Sequence, residues 1–282
     1  MNYRHGYHAG NFADVFKHLV LIDLINALKR KENSFCYLDT HAGRGVYSLS
    51  FSAKEKNQES LTGIQKIMKN TEKDLRAVSE TLKIYHDIVK QYHYPDFYPG
   101  SPAIATSLLR EQDRSIFCDV QMQEYKNLKM NFQHENNAAI HLEDGYRALK
   151  AFLPPKEKRG LILIDPPFES DEEWDKILEG LKIGLARFPS GVFAVWYPTK
   201  YPKIAQRFLK SVDSVTSHLN SLVVELSIYP QDAGLSLSGS GMLIINPPWQ
   251  LEKNIQQWLP WLWKQLSYQG AGTIAVRGST GR

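Results

Sequence analysis

Short apolar runs recur along the chain after polar or amphipathic stretches: Phe35–Leu38, Ile116–Cys118, Ile140–Leu142, Leu161–Ile164, Val192–Trp196, Leu222–Leu226 and Met242–Ile245. Most intervals between them are long enough for a crossover helix, so the alternation predicts an α/β protein with a mostly parallel, seven-stranded sheet. The last interval differs. It carries Gly234 and Gly239 and no helical pattern, which predicts a C-terminal antiparallel hairpin. The first helix should start at Asn11, a capping residue, with Asp14 in the place of a capping-box carboxylate. Lys29, Arg30 and Lys31 suit the negative end of that helix.

Residues 52–96 break the rhythm. They are densely charged, hold no strand-like run, and place Leu75, Val78, Leu82, Tyr85, Val89 and Tyr92 at spacings of three and four. This predicts a small helical insertion, a pair of helices, between the first and second strands. Such an insertion is either a passive embellishment or a cap facing the substrate, and the pattern leaves both open. The rest of 1–282 reads as one domain, with 270–282, rich in glycine, as a flexible tail.

Composition narrows the class without choosing a function. With 43% hydrophobic and 23% charged residues, wholesale disorder is excluded. A net charge of +4 permits a polyanionic partner but does not establish one. Cys36 and Cys118 are the only cysteines, which excludes a disulfide framework and a four-cysteine zinc site; their apolar neighbours suit buried thiols in a reducing compartment. The N-terminus lacks the apolar core of a signal peptide, and no apolar run approaches the roughly 18 residues of a membrane span. A soluble, cytoplasmic monomer with no membrane partner is expected.

The first strand runs into Asp39-Thr40-His41-Ala42-Gly43-Arg44-Gly45. A carboxylate at a strand end followed by a glycine turn brings backbone N–H groups close to a ligand. The third glycine of a NAD fingerprint is missing, and no Gly-Lys-Ser/Thr follows as in a phosphate-binding loop. Asp-x-x-x-Gly-x-Gly is instead the form used by S-adenosylmethionine-dependent methyltransferases, which have a Rossmann-like fold. Later strand ends agree. Asp119 stands where an acid accepts hydrogen bonds from ribose hydroxyls, and Asp144-Gly145 where such enzymes bind adenine. Asp119, Asp144 and Asp165 follow one another at intervals of 25 and 21 residues, the length of successive βα units.

The strongest signal is Leu161-Ile162-Leu163-Ile164-Asp165-Pro166-Pro167-Phe168. A buried strand delivers a carboxylate, two rigid prolines and an aromatic ring to one edge. An exocyclic adenine amine is a poor nucleophile because its lone pair is delocalised into the ring. Hydrogen bonds from that amine to Asp165 and to the carbonyl of Pro166 would localise the lone pair, while Phe168 stacks on an unpaired or flipped base. The methyl would transfer in line, with Asp165 or water taking the proton. A second copy, Asn246-Pro247-Pro248-Trp249, also follows an apolar strand. Chain order favours Asp165, which lies one βα unit beyond Asp144, whereas Asn246 ends the hairpin at the expected sheet edge.

On these residues the chain resembles the bacterial 23S ribosomal RNA adenine-N6 methyltransferase J family. The resemblance rests on Tyr3-Arg4-His5, His8-Ala9-Gly10-Asn11, Lys17-His18, Leu38–Gly43, Tyr98-Pro99-Gly100-Ser101-Pro102, Leu109–Asp113, Asp144-Gly145, Arg159–Pro167, Trp196-Tyr197-Pro198, Ser240-Gly241-Met242 and Asn246–Trp249. It implies a Rossmann-like methyltransferase fold with a helical insertion, and S-adenosyl-L-methionine as cofactor. It also implies that His18, His41, Ser101, Asp119, Asp144 and Gly145 hold the cofactor, that Asp165 is the catalytic acceptor, and that Tyr3 lies on the substrate side with Pro166 and Phe168. The implied partner is 23S ribosomal RNA, protein-free or at an early assembly stage. Two positions depart from the family pattern: Asp119 stands for a more frequent Glu, and Phe168 for a more frequent Tyr.

Other readings remain. By itself His18 reads as a helix-surface residue, and His5 with His8 lack third and fourth ligands for a metal, so no metal is expected. Ser236, Ser238 and Ser240 lack the strand-to-helix elbow of a serine hydrolase. From Lys176 to Lys210 seven basic residues face one acid, Glu179; they form a phosphate-contacting surface or an ordinary solvated helix face. Tyr3, Arg4, Tyr7 and Lys17 together offer stacking and charge for a nucleotide clamp. The rival functions are DNA adenine-N6 methylation and, from another class, nucleic-acid binding on an inactive methyltransferase fold.

Overall fold

The computed structural model describes residues 8–49, 59–230 and 237–281. Its centre is an eight-stranded sheet. The strands are β1 (Cys36–Asp39), β4 (Arg114–Asp119), β5 (Ala138–Leu142), β6 (Gly160–Ile164), β7 (Val192–Pro198), β8 (Ser221–Ser227), β9 (Gly239–Ile245) and β10 (Ile274–Ser279). They lie in the order β10-β8-β9-β7-β6-β1-β4-β5. The five from β7 to β5 are parallel, whereas β9 is antiparallel to both β8 and β7. The chain leaves β1 toward β4 and β5, then returns to the other side of β1 as β6. That reversal puts a topological switch point at the carboxyl ends of β1 and β6, where open α/β sheets bind ligands.

The seven expected strands are present, and so is the hairpin of β8 and β9. Two expectations are corrected. Within the expected 270–282 tail, residues 274–279 form a strand: Ile274 pairs with Leu226 and Ser279 with Ser221 along the outer edge of β8. Gly272, with φ +87°, makes the turn that returns the chain to Ser227. Ile274 and Val276 then pack on the core, and the edge groups of β8 gain partners. The hairpin also does not form the sheet edge through β9, which is paired on both sides.

Helix α1 (Phe12–Lys29) is buried over most of its length, its apolar residues being spread around the helix instead of confined to one stripe. Asn11 caps it by accepting from the Asp14 N–H at 2.9 Å. Asp14 does not complete a capping box, since its carboxylate accepts from the N–H of Gly10 instead. Asp23, the one acid within the apolar stretch 19–25, is buried too. It accepts from the Thr81 hydroxyl at 2.6 Å and the Trp258 indole N–H at 2.8 Å.

The insertion is clasped at its base by a two-stranded antiparallel ribbon, β2 (Val46–Ser48) with β3 (Phe97–Pro99). Among the described residues between these strands lie a 3-10 turn (Glu59–Thr62) and helices α2 (Ile64–Ile67), α3 (Glu72–Val78) and α4 (Glu80–Gln91). The last two are the expected helical pair. Leu75, Leu82, Tyr85 and Val89 join the core on the α1 side of the sheet. Short helix α5 (Ser101–Thr106) follows the ribbon. Beyond it, α6 (Met122–Asn131), α7 (Gly145–Phe152), α8 (Glu173–Arg187), α9 (Pro202–Thr216) and α10 (Leu251–Leu266) complete the layers. Among the described residues no helix is long and apolar enough to cross a membrane.

Candidate active site

Loop chemistry at the carboxyl ends of β4, β1, β6 and β7 builds one cavity of about 410 Å³. At the end of β1 the chain turns through Gly43 (φ +60°) and Gly45 (φ +77°), a left-handed backbone that favours glycine. A Cβ on Gly45 would stand 2.3 Å from the Phe132 ring. The Gly43 N–H donates to Asp119 Oδ2 at 2.9 Å, and Arg44 forks onto both Glu124 oxygens at 2.8 and 2.5 Å. The turn is therefore fixed to the end of β4 and the first turn of α6 by charge-assisted bonds.

Asp39 lies behind this wall, fully buried. It accepts from the Tyr37 hydroxyl at 2.9 Å and the Ser101 hydroxyl at 2.7 Å. Burial pushes its carboxyl up to about 6, against the lowering effect of those two bonds. Ser101, Asp119 and His41 border the cavity. The Thr40 hydroxyl donates to the Leu163 carbonyl at 3.0 Å, so toward His41 Nδ1, 2.8 Å away, it accepts. That assigns the proton to Nδ1 and leaves Nε2 an acceptor. Burial holds the His41 pKa below its ordinary value, outweighing the pull of Asp165. His18 also borders the cavity but is wholly buried, not a surface residue. Its Nδ1 is 2.9 Å from the Tyr98 hydroxyl, and its ring stacks on that tyrosine.

At the end of β6, Asp165 meets a buried ammonium. Lys17 Nζ donates to Asp165 Oδ2 at 2.5 Å and to Asp14 Oδ1 at 2.9 Å. Burial disfavours the Lys17 charge, but Asp14 and Asp165 outweigh it and raise its pKa above the ordinary lysine range. The chain then passes through Pro166 and Pro167 to Phe168, whose φ of +49° is strained for an aromatic residue. Its ring sits edge-on to Trp174 (4.7 Å between centroids) and Trp196 (5.6 Å). The Trp196 N–H donates to the Ser240 hydroxyl at 2.8 Å. A carboxylate, a carbonyl-bearing proline turn and an aromatic wall thus converge at the switch point.

The model of the family described as "Ribosomal RNA large subunit methyltransferase D, RlmJ" matches residues 32–278. Two curated proteins named Ribosomal RNA large subunit methyltransferase J align over nearly their whole length. The one from Haemophilus influenzae is 38% identical over 99% of this chain and 99% of its own. The one from Escherichia coli K12 is 39% identical over 98% of each. The chain belongs to the RlmJ family. A crystal structure of a Legionella pneumophila protein has the same architecture, with a TM-score of 0.85 and 34% identity over 97% of this chain and 98% of that one.

In this RlmJ-family chain, seven of the expected site residues lie on the cavity wall: Asp165, Pro166, Phe168, His18, His41, Ser101 and Asp119. Asp144 and Gly145 are not on it. Asp144 caps α7, accepting from the N–H groups of Tyr146 and Arg147 at 2.9 and 3.0 Å. Gly145 lets that helix start pass under the β1 loop, since a Cβ there would be 2.3 Å from the Thr40 carbonyl oxygen and 2.8 Å from the His41 ring. Tyr3, with Arg4 and Tyr7 of the expected clamp, lies outside the described residues. Lys17 is corrected: it is buried between two carboxylates and is not a phosphate contact.

The Asn246 copy is remote from the cavity. Because β9 runs antiparallel to β7, Ile245 pairs with Phe193, whereas Ile164 pairs with Val195. Asn246 therefore emerges at the opposite end of the sheet. Its amide donates to the Pro189 and Gly191 carbonyls at 2.8 and 2.9 Å, a task of closing the loop before β7.

Sequence reasoning missed Lys17 with Asp14 as the partners of Asp165, and Trp174 as part of the aromatic wall. A signal for the first pair existed: Lys17 is the one lysine in the span 15–22, which is otherwise apolar except for His18, and it stands three residues after an acid. It also missed Glu59, which the insertion contributes to the wall beside His8, 2.8 Å away, and Asn11.

Proposed function

We propose that this protein transfers a methyl group from S-adenosylmethionine to the exocyclic N6 amine of an adenine in large-subunit (23S) ribosomal RNA, protein-free or early in assembly. Membership of the RlmJ family supports the reaction and the RNA class. The observation that carries the choice of atom is Asp165 with Pro166 and Phe168 at the end of β6, joined by Lys17.

The residues present suit the cofactor. Asp119 accepts a backbone N–H with each oxygen, from Gly43 and Gln121, which fixes its carboxylate on the cavity wall as an acceptor of the kind that binds ribose hydroxyls. Beside it, Val120 (52% exposed), Met122 (50%) and Leu142 (42%) leave an apolar surface uncovered at the ends of β4 and β5, suited to a purine ring. Ser101, His18 and His41 would face the amino-acid portion along the glycine turn. When bound, the cofactor supplies an electrophilic methyl on a sulfonium.

The remaining work falls to the chain's own groups. Lys17 occupies Asp165 Oδ2, and among the described residues Oδ1 carries no hydrogen bond. Oδ1 accepts one N–H of the adenine amine and the Pro166 carbonyl accepts the other. This draws the amine lone pair out of conjugation and aims it at the methyl. Phe168, braced by Trp174 and Trp196, stacks on a base that has left its helix. After transfer Asp165, or a water it orients, receives the amine proton. The ammonium of Lys17, bonded to Oδ2, keeps the carboxylate oriented toward the amine.

The test is methyl transfer from labelled cofactor to 23S RNA lacking the modification, to DNA of the same sequence and to a protein extract, followed by nucleoside analysis. Label in N6-methyladenosine from RNA is expected. Label only in DNA, or on another atom, would overturn the proposal.

A further inference from the structure

The basic excess between Lys176 and Lys210 divides into two groups. Lys176 and Lys182 face Glu173 and Glu179 at 3.6 and 3.4 Å, and the Arg187 guanidinium donates to the Leu153 carbonyl at 2.7 Å. Among the described residues Lys200, Lys203, Arg207 and Lys210 make no ion pair with a carboxylate. These four are not scattered. Lys200 borders the cavity with Tyr201, and Lys203, Arg207 and Lys210 are all exposed on α9. Their spacing of four and three puts them on one stripe.

Tyr201 stands where the stripe meets the cavity. It is 56% exposed, and Lys200 Nζ lies 5.0 Å from its ring centroid. An exposed aromatic ring beside a cation is an arrangement that stacks bases of unpaired nucleic acid. The helix behind it is held rigidly. Its inner face buries Ala205, Phe208 and Val212, and the Phe208 ring packs 5.1 Å from Trp174, itself part of the aromatic wall around Phe168. The stripe therefore has a fixed orientation relative to the base-binding end of the cavity.

We propose that Tyr201 stacks on the nucleotide next to the target adenine, and that Lys200, Lys203, Arg207 and Lys210 follow the phosphates of the single strand leading away from it. The proposal rests on the RNA substrate given under the proposed function. A methylated base must leave its helix, so the strand on at least one side of it is unpaired where it crosses the cavity mouth. A polyanion there needs cations that are not already paired, and this stripe supplies them beside the entrance.

The test uses the full-length protein and a fluorescently labelled single-stranded RNA containing adenine, with binding read by anisotropy at 50–200 mM salt. Methyl transfer and cofactor binding are measured in parallel. Tyr201→Ala is expected to weaken RNA binding about tenfold and Tyr201→Phe to restore it, the ring face being what matters. A K203Q/R207Q/K210Q variant should flatten the dependence of log affinity on log salt by about 2, from three lost phosphate contacts on a single strand. Cofactor affinity should stay as in the wild type, which shows that the fold is intact. Unchanged RNA affinity and an unchanged salt slope in both variants would overturn this surface while leaving the methyltransferase reading intact. Wild-type protein that binds RNA through this stripe yet methylates none would overturn that reading and leave the surface standing.

Discussion

Lys17 Nζ lies 2.5 Å from Asp165 Oδ2, although 148 residues separate them in the chain. The first helix thus delivers a charged donor to the carboxylate at the end of the fourth parallel strand in chain order, and a second carboxylate, Asp14, holds that donor from behind. A buried charge is costly unless it is paired. This triad therefore couples the stability of α1 to the position of the Asp165 carboxylate.

Replacing Lys17 with Met leaves Asp14 and Asp165 facing each other without a cation. Breaking a buried pair costs about 3–5 kcal/mol, so urea unfolding should show a loss on that scale. Turnover should fall on the order of 100-fold, because the carboxylate loses its orientation. A Lys17→Met/Asp14→Asn variant should recover much of the stability and little of the rate. Recovery of both together would reduce Lys17 to a structural role.

Asp39 gives a pH signature. Its carboxyl is raised by burial from 3.8 to about 6, so between those values the folded state holds a proton that the unfolded state has released. Stability must then fall as pH rises from about 4 to 6, by about 3 kcal/mol for a shift near two units. Asp39→Asn removes that dependence and keeps an oxygen for Tyr37 and Ser101. Chemical denaturation of both proteins at pH 4, 5, 6 and 7 should show the variant gaining on the wild type as pH rises. A constant difference would contradict the assignment.

Gly145→Ala separates packing from cofactor contact. The added methyl would press on the Thr40 carbonyl and the His41 ring, and overpacking of this kind costs about 1–3 kcal/mol. The melting temperature of the cofactor-free protein should drop. If stability is unchanged and only cofactor affinity suffers, Gly145 acts on the ligand directly.

Much of this was legible in the sequence because it is local. Strand-end acids, the Asp165-Pro166-Pro167-Phe168 turn and the glycines after Asp39 each announce themselves within a few residues. Chain order also separated Asp165 from Asn246, although the physical reason is the antiparallel course of β9, which carries Asn246 to the other end of the sheet. What stayed hidden depends on distant pairing. The partners of Lys17 follow only once α1 lies against the end of β6. The strand β10 was obscured by Gly272, which reads as a loosening residue and in fact makes the turn onto β8. Asp144 was seen at a ligand-binding strand end, but its capping of α7 could be recognised only from the helix start that follows.

The central claim is that Asp165 accepts the amine hydrogen during transfer to adenine. The most direct measurement is single-turnover methylation of unmodified 23S RNA by Asp165→Ala, set beside Asn246→Ala, with cofactor affinity determined for each by calorimetry. Asp165→Ala should bind cofactor as the wild type does and transfer no methyl group, while Asn246→Ala keeps near-normal transfer. Sustained transfer by Asp165→Ala, or its loss in Asn246→Ala alone, would contradict the account.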